Sequence, residues 1–543
     1  AARTDLKLVL DDTWFQKPVS YAGQWQLDGK KFSAECNQTS CNATGQWQAA
    51  VRALVDRTHE AGWAGLGVWH HGLLGVPGTT SAEPSFGTQL ADLADAGVSY
   101  IKVDGTDIVG TVTAAAANAT GGRLRVEHKK SPGEPLNGDW KTDGRAPSDY
   151  ISALTELLSV TDVLRTDDIV CQMSVPTCLD RFAGVLAASA AQNRTVPAVP
   201  GARSVIAPQD EAYMAAGLSG ALAGMRHPLP QLVGDTRING NRNLPRRMDE
   251  VTRVVRWFRI APPTGAYDYE TKAAGKVVVD PVPLTDTMTL NSSDTWYSRA
   301  WGAPLNQGAP ARVVRGLEFL PTVVPADSTY GGVVPWVVAS KHPNGALAVA
   351  ALGRTLDSHG GWIMPRANVT LWAGVSATGV EASIGVFGQF EALTVVWEGS
   401  KPAHQDVWMQ DLAGEGATDV SEQVAWCEAG GGRTALFVPG GLIDTVGRSA
   451  SSSLTDISDP GILIKVLSSG TSGTLGTKVR PVCPAIPENP PVPPPPPPPT
   501  PPNPPGPPGP APPSPVTPAQ LNGTWTQHSN NSPTIDVLVT NGG

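Results

Sequence analysis

Four apolar runs in the first 170 residues end in charged or aromatic side chains. In "VSYIKVDGTD" (98–107), Lys102 and Asp104 stand one residue apart. Side chains alternate across a strand, so the two charges share one face. "LKLVLDDTW" ends in Asp11 and Asp12 followed by Trp14, "GLGVWHHG" ends in Trp69 and His70, and "DVLRTDDI" carries Arg165, Asp167 and Asp168. Carboxylates accept hydrogen bonds from sugar hydroxyls, and an indole covers the apolar face of a pyranose. Two further carboxyls could do the nucleophilic and acid–base work of glycosidic cleavage. Carbohydrate is therefore the expected ligand, against a buried ion pair or a helix-capping aspartate as the structural explanation of any one such strand.

These strand ends must be held by the elements before and after them. "GQWQAAVRALVDRTHEAGW" places Trp47, Val51, Leu54, Val55 and Thr58 on one helical face and stops at Gly62, after which "GLGVWHH" reads as a buried strand. "GTQLADLADAG" repeats the pattern with Leu90, Leu93 and Ala94, and a strand over 98–103 follows. Further strands are expected at 6–10, 124–127, 163–166, 204–207 and, weakly, 231–233, with helices at 147–160, 176–191, 211–225 and 246–260. This βα alternation predicts a parallel sheet with helices outside it. Seven strands are one short of a (β/α)8 barrel, in which the carboxyl ends of the strands line the mouth.

The order "LVLDDTW", "GLGVW", "YIKVDG", "VLRTDDI" resembles the alpha-galactosidase-like glycoside hydrolases of clan D, families 27 and 36. Their strands end in D-D-G-W, G-L-x-x-G-L-W, K-x-D and W-R-x-x-x-D, and their barrel is followed by a β-sandwich. The resemblance implies a retaining alpha-glycosidase with Asp104 as nucleophile and Asp168, or Asp167 in its place, as acid/base. It assigns Asp11, Asp12, Lys102 and Arg165 to sugar hydroxyls, with Trp14, Trp69 and Asp167 completing the pocket. Thr13 stands where the family has glycine, and the arginine-to-aspartate step is shorter than usual in family 27.

From about residue 265 helical periodicity gives way to short runs such as "WVVAS" and "ALAVAAL" flanking "KHPNG", then "ALTVVWEG" and "GILIKVL". An antiparallel β-sandwich is expected up to 482. Trp397 and Trp408 are expected in its core and not as a sugar platform. Residues 483–518, with "PPVPPPPPPPTPPNPPGPPGPAPPSPVTP", predict a polyproline II stalk, on the order of 100 Å long at roughly 3.1 Å per residue. The stretch resembles the hydroxyproline-rich glycoproteins of green algal and plant cell walls. In the tail, 519–543, Ile535, Val537 and Val539 alternate like a lone strand, which cannot bury its own face and must pair with something if it orders. The expected layout is thus a barrel-like unit over 1–264, a sandwich over 265–482, a stalk and a candidate donor strand.

At 543 residues and 41% apolar composition the chain has material for more than one core. A net charge of −9 without a basic block argues against nucleic acid, and no run approaches 18 apolar residues, so no membrane span is expected. Cys36 with Cys41 and Cys171 with Cys178 form close pairs, and Cys427 and Cys483 stand apart; without metal-ligand spacing, all six read as disulfide cysteines. Eight of eighteen asparagines lie in N-x-S/T sequons: Asn37, Asn42, Asn118, Asn193, Asn291, Asn368, Asn522 and Asn530. Together these predict a secreted glycoprotein of the extracellular matrix or cell wall. His70 and His71 lack a third ligand, "GLGVWHHG" opens no helix, and "GLSG" lacks nucleophile-elbow spacing, so no metal or cofactor is expected. Two functions follow: an extracellular alpha-glycosidase, or a structural subunit whose C-terminal strand enters a neighbouring copy to build a filament.

Overall fold

In the computed structural model the described residues are 3–10, 32, 34–35, 46–71, 86–104, 109–128, 162–165, 179, 205–207, 212–219, 224–226, 244–261, 276–285, 308–326, 332–355, 362–376, 382–399, 405–450, 459–468, 481–486 and 535–539. The first unit runs β1 (Arg3–Leu10), α1 (Gln46–Glu60), β2 (Trp63–His71), α2 (Phe86–Asp95), β3 (Tyr100–Asp104), α3 (Val109–Thr120), β4 (Arg125–His128), β5 (Val163–Arg165), β6 (Val205–Ala207), α4 (Ala212–Leu218), β7 (Gly224–Arg226) and α5 (Leu244–Ile260). Strands β1 to β6 pair in sequence order, all parallel.

Alternation sorts the strands' residues between two faces. Leu66, Val68, Ile101, Val103 and Val126 pack with Ala50, Val51 and Val55 of α1, Leu90 and Leu93 of α2 and Ala116 of α3. Helix α2 ends because Gly97 takes φ +96°, where the Gly97 N–H bonds Ala94 O and the Val98 N–H bonds Leu93 O, a Schellman closure. Helix α3 was not legible in the sequence: "TVTAAAANAT" has no apolar stripe, and alanines fill the narrow space beside β4.

One helix expectation is corrected. The run expected to be helical over 211–225 stops at Leu218, Ser219 takes φ +48°, and β7 begins at Gly224. The small residues of "GLSG" break the helix where continuous helix was read. The weak strand expected at 231–233 and the helices expected at 147–160 and 176–191 lie outside the described residues, apart from the single helical position Leu179.

The second unit is two packed sheets. Its strands are β8 (Val277–Val279), β9 (Pro283–Thr285), β10 (Gly308–Pro310), β11 (Arg312–Arg315), β12 (Thr322–Pro325), β13 (Trp336–Lys341), β14 (Leu347–Leu352), β15 (Arg354–Thr355), β16 (Trp362–Ile363), β17 (Ala367–Ser376), β18 (Ala382–Phe387), β19 (Ala392–Glu398), β20 (Gln405–Asp411), β21 (Ala417–Asp419), β22 (Ala425–Ala429), β23 (Arg433–Pro439) and β24 (Gly461–Ser468), with α6 (Gly440–Gly447) before β24. One sheet has the order β21-β20-β24-β18-β14-β13-β11-β8 and the other β12-β17-β19-β23-β22, while β9 with β10 and β15 with β16 form small ribbons. Val337, Val349, Ile384 and Ile464 meet Leu371, Val395, Trp397 and Leu436 between the sheets.

The expected antiparallel sandwich is therefore mixed, because β11–β13, β14–β18 and β17–β19 are parallel. Each of these pairs is separated in sequence by a strand in the opposite sheet. A chain that crosses over and returns re-enters its first sheet in the same direction. Trp397 is in the core as expected, whereas Trp408 is half-buried, between the inward-facing Val407 and Met409.

The larger sheet is covered on its outer side by α4 and α5. Trp336, Val338, Ala348, Ala350 and Phe387 share one core with Tyr213, Met214, Val254, Trp257 and Phe258. Helix α5 comes close because Gly385 and Gly461 lack side chains: a Cβ would lie 2.9 Å from the Trp257 ring at Gly385 and 2.5 Å from Arg253 Cδ at Gly461. Trp257 Nε1 donates to His342 Nε2 at 3.2 Å.

Arg253 is fully buried at this seam. Its Nε and Nη2 donate to the two carboxylate oxygens of Asp411 at 2.9 and 3.2 Å. Nη1 donates to Asp459 O at 2.9 Å and Nη2 to Gly447 O at 2.9 Å. Asp411 also accepts from the backbone N–H groups of Ala413 and Ala450. Burial opposes the charged guanidinium, but the oxygens of Tyr213 and Asp411 outweigh it and hold Arg253 above its ordinary pKa. Burial pushes the Tyr213 phenol up as well.

The last strand, β25 (Ile535–Val539), lies in the first unit. It pairs antiparallel with β1, from Leu6↔Val539 to Leu10↔Ile535, and antiparallel with β7, from Asp536↔Arg226 to Leu538↔Gly224. The first sheet thus has eight strands in the order β6-β5-β4-β3-β2-β1-β25-β7. Among the described residues no ladder joins β6 to β7. No helix among them is long and apolar enough to cross a membrane.

Removing one half of a buried ion pair leaves the other charge stranded, at a cost of about 3–5 kcal/mol. Arg253→Met and Asp411→Leu are each expected to lower stability by that order in urea titration, and the double variant by clearly less than the sum. Additive losses would show that the two charges do not act as a pair.

Candidate functional site on the polar face of the first sheet

The face of the first sheet turned away from α1, α2 and α3 carries the charges. Tyr100, Lys102 and Asp104 alternate along β3, and Arg125 and Glu127 along β4. The register aligns Gly67 with Tyr100 and Arg125, then Trp69 with Lys102 and Glu127, then His71 with Asp104. Gly67 is required by its neighbours, because a Cβ there would meet Tyr100 Cβ and Val9 Cγ2 at 3.0 Å each. Gly67 of "GLGVW" therefore makes room for the Tyr100 ring one strand away, while a Cβ at Gly65 would meet Ser99 Oγ at 2.6 Å.

Lys102 is 2% exposed and Glu127 is 2% exposed, in register on neighbouring strands. The ladder sets the two residues at paired backbone positions. The Tyr100 hydroxyl donates to Glu127 Oε2. At the amino-terminal end of the same face, Arg125 Nη1 pairs with Asp162 Oδ1 at 3.1 Å, and Asp162 Oδ2 accepts from the Val126 N–H at 3.0 Å. Lys7 Nζ donates to Ser99 O at 3.2 Å and lies 5.6 Å from the Tyr100 ring centroid. Burial, then the positive charge of Arg125, lower the Lys7 amine to about 8, with Asp162 opposing them.

Of the residues singled out in the sequence, Trp69, Lys102 and Asp104 are brought to adjacent positions at the carboxyl ends of β2 and β3. Arg165 closes β5 opposite Ala207. It stands one period beyond Val163, which the ladder aligns with Glu127. That places Arg165 two strands from β3, roughly 10 Å at the usual strand spacing. Asp11, Asp12, Trp14, Asp167 and Asp168 lie outside the described residues. So do Cys36, Cys41, Cys171 and Cys178, the stalk beyond residue 486, and six of the eight sequon asparagines (Asn37, Asn42, Asn193, Asn291, Asn522 and Asn530). The remaining two, Asn118 on α3 and Asn368 on β17, are exposed. Cys427 and Cys483 are joined in a disulfide.

Sequence reasoning missed Tyr100, Glu127, Lys7 and Asp162. The signal for Tyr100 and Glu127 was present, since "YIKVD" and "LRVE" alternate polar with apolar over their whole length. Comparison with protein-family models and with curated proteins finds no match.

Because the folded-state pKa of Lys7 is near 8 and its ordinary value near 10.5, the unfolded chain binds more protons between those limits. Stability from this group therefore rises with pH across that window, and below pH 8 the ammonium carries a cost with an upper limit on the order of 3 kcal/mol. Lys7→Met is expected to melt higher than the natural chain at pH 7, with the gain shrinking toward pH 10.5. A pH-independent difference in melting temperature would show that the ammonium keeps its water.

Proposed function

We propose that this chain is a subunit of an extracellular glycosylated assembly, in which the C-terminal strand of one copy completes the eight-stranded sheet of the next. The observation that carries this reading is the position of β25 between β1 and β7. In a sheet otherwise built of parallel strands, β25 is the antiparallel member, delivered from the far end of the sequence. Without it β1 would present a row of unpaired N–H and C=O groups, a template for strand addition. The same ladder made between copies exchanges identical contacts, the route of domain swapping.

The proline-rich sequence argues for exchange between copies. A stalk on the order of 100 Å is longer than the diameter of a body of some 480 residues, about 60 Å. A linker of that reach can deliver the strand to the sheet edge of a neighbour as well as to its own, where β25 pairs in the single chain. Exposed sequon asparagines at 118 and 368 and the Cys427–Cys483 disulfide fit an oxidising, glycosylating compartment. Deleting residues 519–543 is expected to convert fibres or oligomers into monomers in analytical ultracentrifugation and electron microscopy. Unchanged assemblies after the deletion, or a full chain that stays monomeric at every concentration, would overturn the proposal.

A second reading has its own support. Trp69, Lys102 and Asp104 share the carboxyl end of adjacent parallel strands, the place where clan D glycoside hydrolases, which the strand-end motifs resemble, bind and cleave sugar. In this reading the first sheet closes as a (β/α)8-like barrel through β6 and β7, with β25 as one of its eight strands. A retaining mechanism then requires the carboxyls of Asp104, as nucleophile, and Asp168, as acid/base, to stand about 5 to 5.5 Å apart. Aryl alpha-galactoside hydrolysis is expected to fall roughly a thousandfold or more in Asp104→Asn. No turnover by a folded full chain would leave the barrel as architecture alone.

A further inference from the structure

The five-stranded sheet has a second apolar face, on the side away from the sandwich core. One ladder row crosses four of its strands: Trp372 on β17, Val396 on β19, Ala435 on β23 and Cys427 on β22. All four are buried, with Ala425 and Ala429 of the edge strand beside them. An outward row of this kind is buried only if something lies across it. Phe319 and Phe437 supply part of the cover, and Arg433 lies over the Trp372 ring at 5.8 Å while donating to Glu398 at 2.8 Å. The rest comes from residues 481–486, which are bonded to the sheet at Cys483 and packed on it at Ile486, while Val482 stays 87% exposed.

We propose that residues 481–486 are a strap that anchors the proline-rich stretch mechanically to the five-stranded sheet. The covalent path decides how a pull is shared. Tension applied beyond residue 486 reaches Cys483 and passes through the disulfide to Cys427, bypassing the 56-residue span between the two cysteines. That span contains β23, α6 and β24. Strand β24 lies inside the larger sheet between β20 and β18, and its neighbours Asp459 and Gly447 supply the carbonyls that hold Arg253. Without the disulfide the same pull would run straight into β24 and on to the Arg253 seam. With it, the pull meets the edge strand β22, which is braced by a five-residue ladder to β23. Ile486, three residues beyond the bond, is held at high effective concentration against this outer cluster, so the strap reseats after each fluctuation. The inference rests on the assembly reading only for the source of the pull.

Single full chains held at their two ends in optical tweezers test this. The oxidised chain is expected to gain less contour on unfolding than the chain reduced with a dithiol, by on the order of 200 Å for 56 residues. At constant force its sandwich is expected to unfold at least tenfold more slowly than that of the reduced chain or of Cys427→Ser/Cys483→Ser. Ile486→Asp, with the disulfide intact, is expected to keep the oxidised contour gain and to speed amide exchange in 425–429 at least tenfold. Equal unfolding rates with and without the bond, or unchanged exchange in Ile486→Asp, would overturn the anchor. Tail deletion tests the assembly separately, so failure of either leaves the other standing.

Discussion

The fully buried guanidinium of Arg253 is the constraint on which the two units depend. It comes from α5 of the first unit and is held by a carboxylate and two carbonyls of the second, with both oxygens of Asp411 engaged. Charge is expensive in such a place, and it survives only because every direction in which the fork points offers an acceptor. An ion pair of this kind adds less to stability than to uniqueness of packing. A bidentate pair fixes one position, and with it the core that α4 and α5 share with the larger sheet.

The first sheet solves a related problem by sorting. Its helix-facing side is built on Leu66, Val68, Ile101, Val103 and Val126, while its other side gathers Lys7, Tyr100, Lys102, Arg125 and Glu127. Charges this close lower each other's cost when signs alternate, and burial followed by the like charge of Arg125 lowers the Lys7 amine. A face of this composition is unfavourable as plain core, yet Tyr100, Lys102 and Glu127 are buried on it. The same face extends to β1, whose other edge pairs with β25.

The ends of the sequence meet in an order that no local rule requires. A strand from the last ten residues enters beside the first strand, after a proline-rich extension that starts on the outer face of the sandwich. Strand addition satisfies the edge of β1, the disulfide fixes where the extension departs, and the seam at Arg253 ties the two units between these points. Each junction uses a different interaction: backbone ladder, covalent bond, buried ion pair. A pull on one is therefore resisted by chemistry that the others do not share.

Much of the local structure was legible because it is written within a few residues. The stripe of α1, the Gly97 stop, the alternation of "YIKVD" and the alternating tail at 535–539 fix helix, cap and strand by periodicity alone. The doubly buried β13 and β14 announced themselves as unbroken apolar runs. Helix α3 was missed because alanine carries no stripe, and the end of α4 because Ser219 and its glycine neighbours look like helix packing until their backbone angles are known. Partner choice was not legible at all. Arg253 finds Asp411 across 158 positions, Tyr100 finds Glu127 across an intervening helix, parallel pairs arise from crossings between sheets, and the tail selects β1 and β7. Sequence by itself determined which faces are apolar and where backbone turns, since these depend on neighbours in the chain. Only the tertiary structure decided which charges and which edges meet, because that depends on groups brought together by the packing of distant segments.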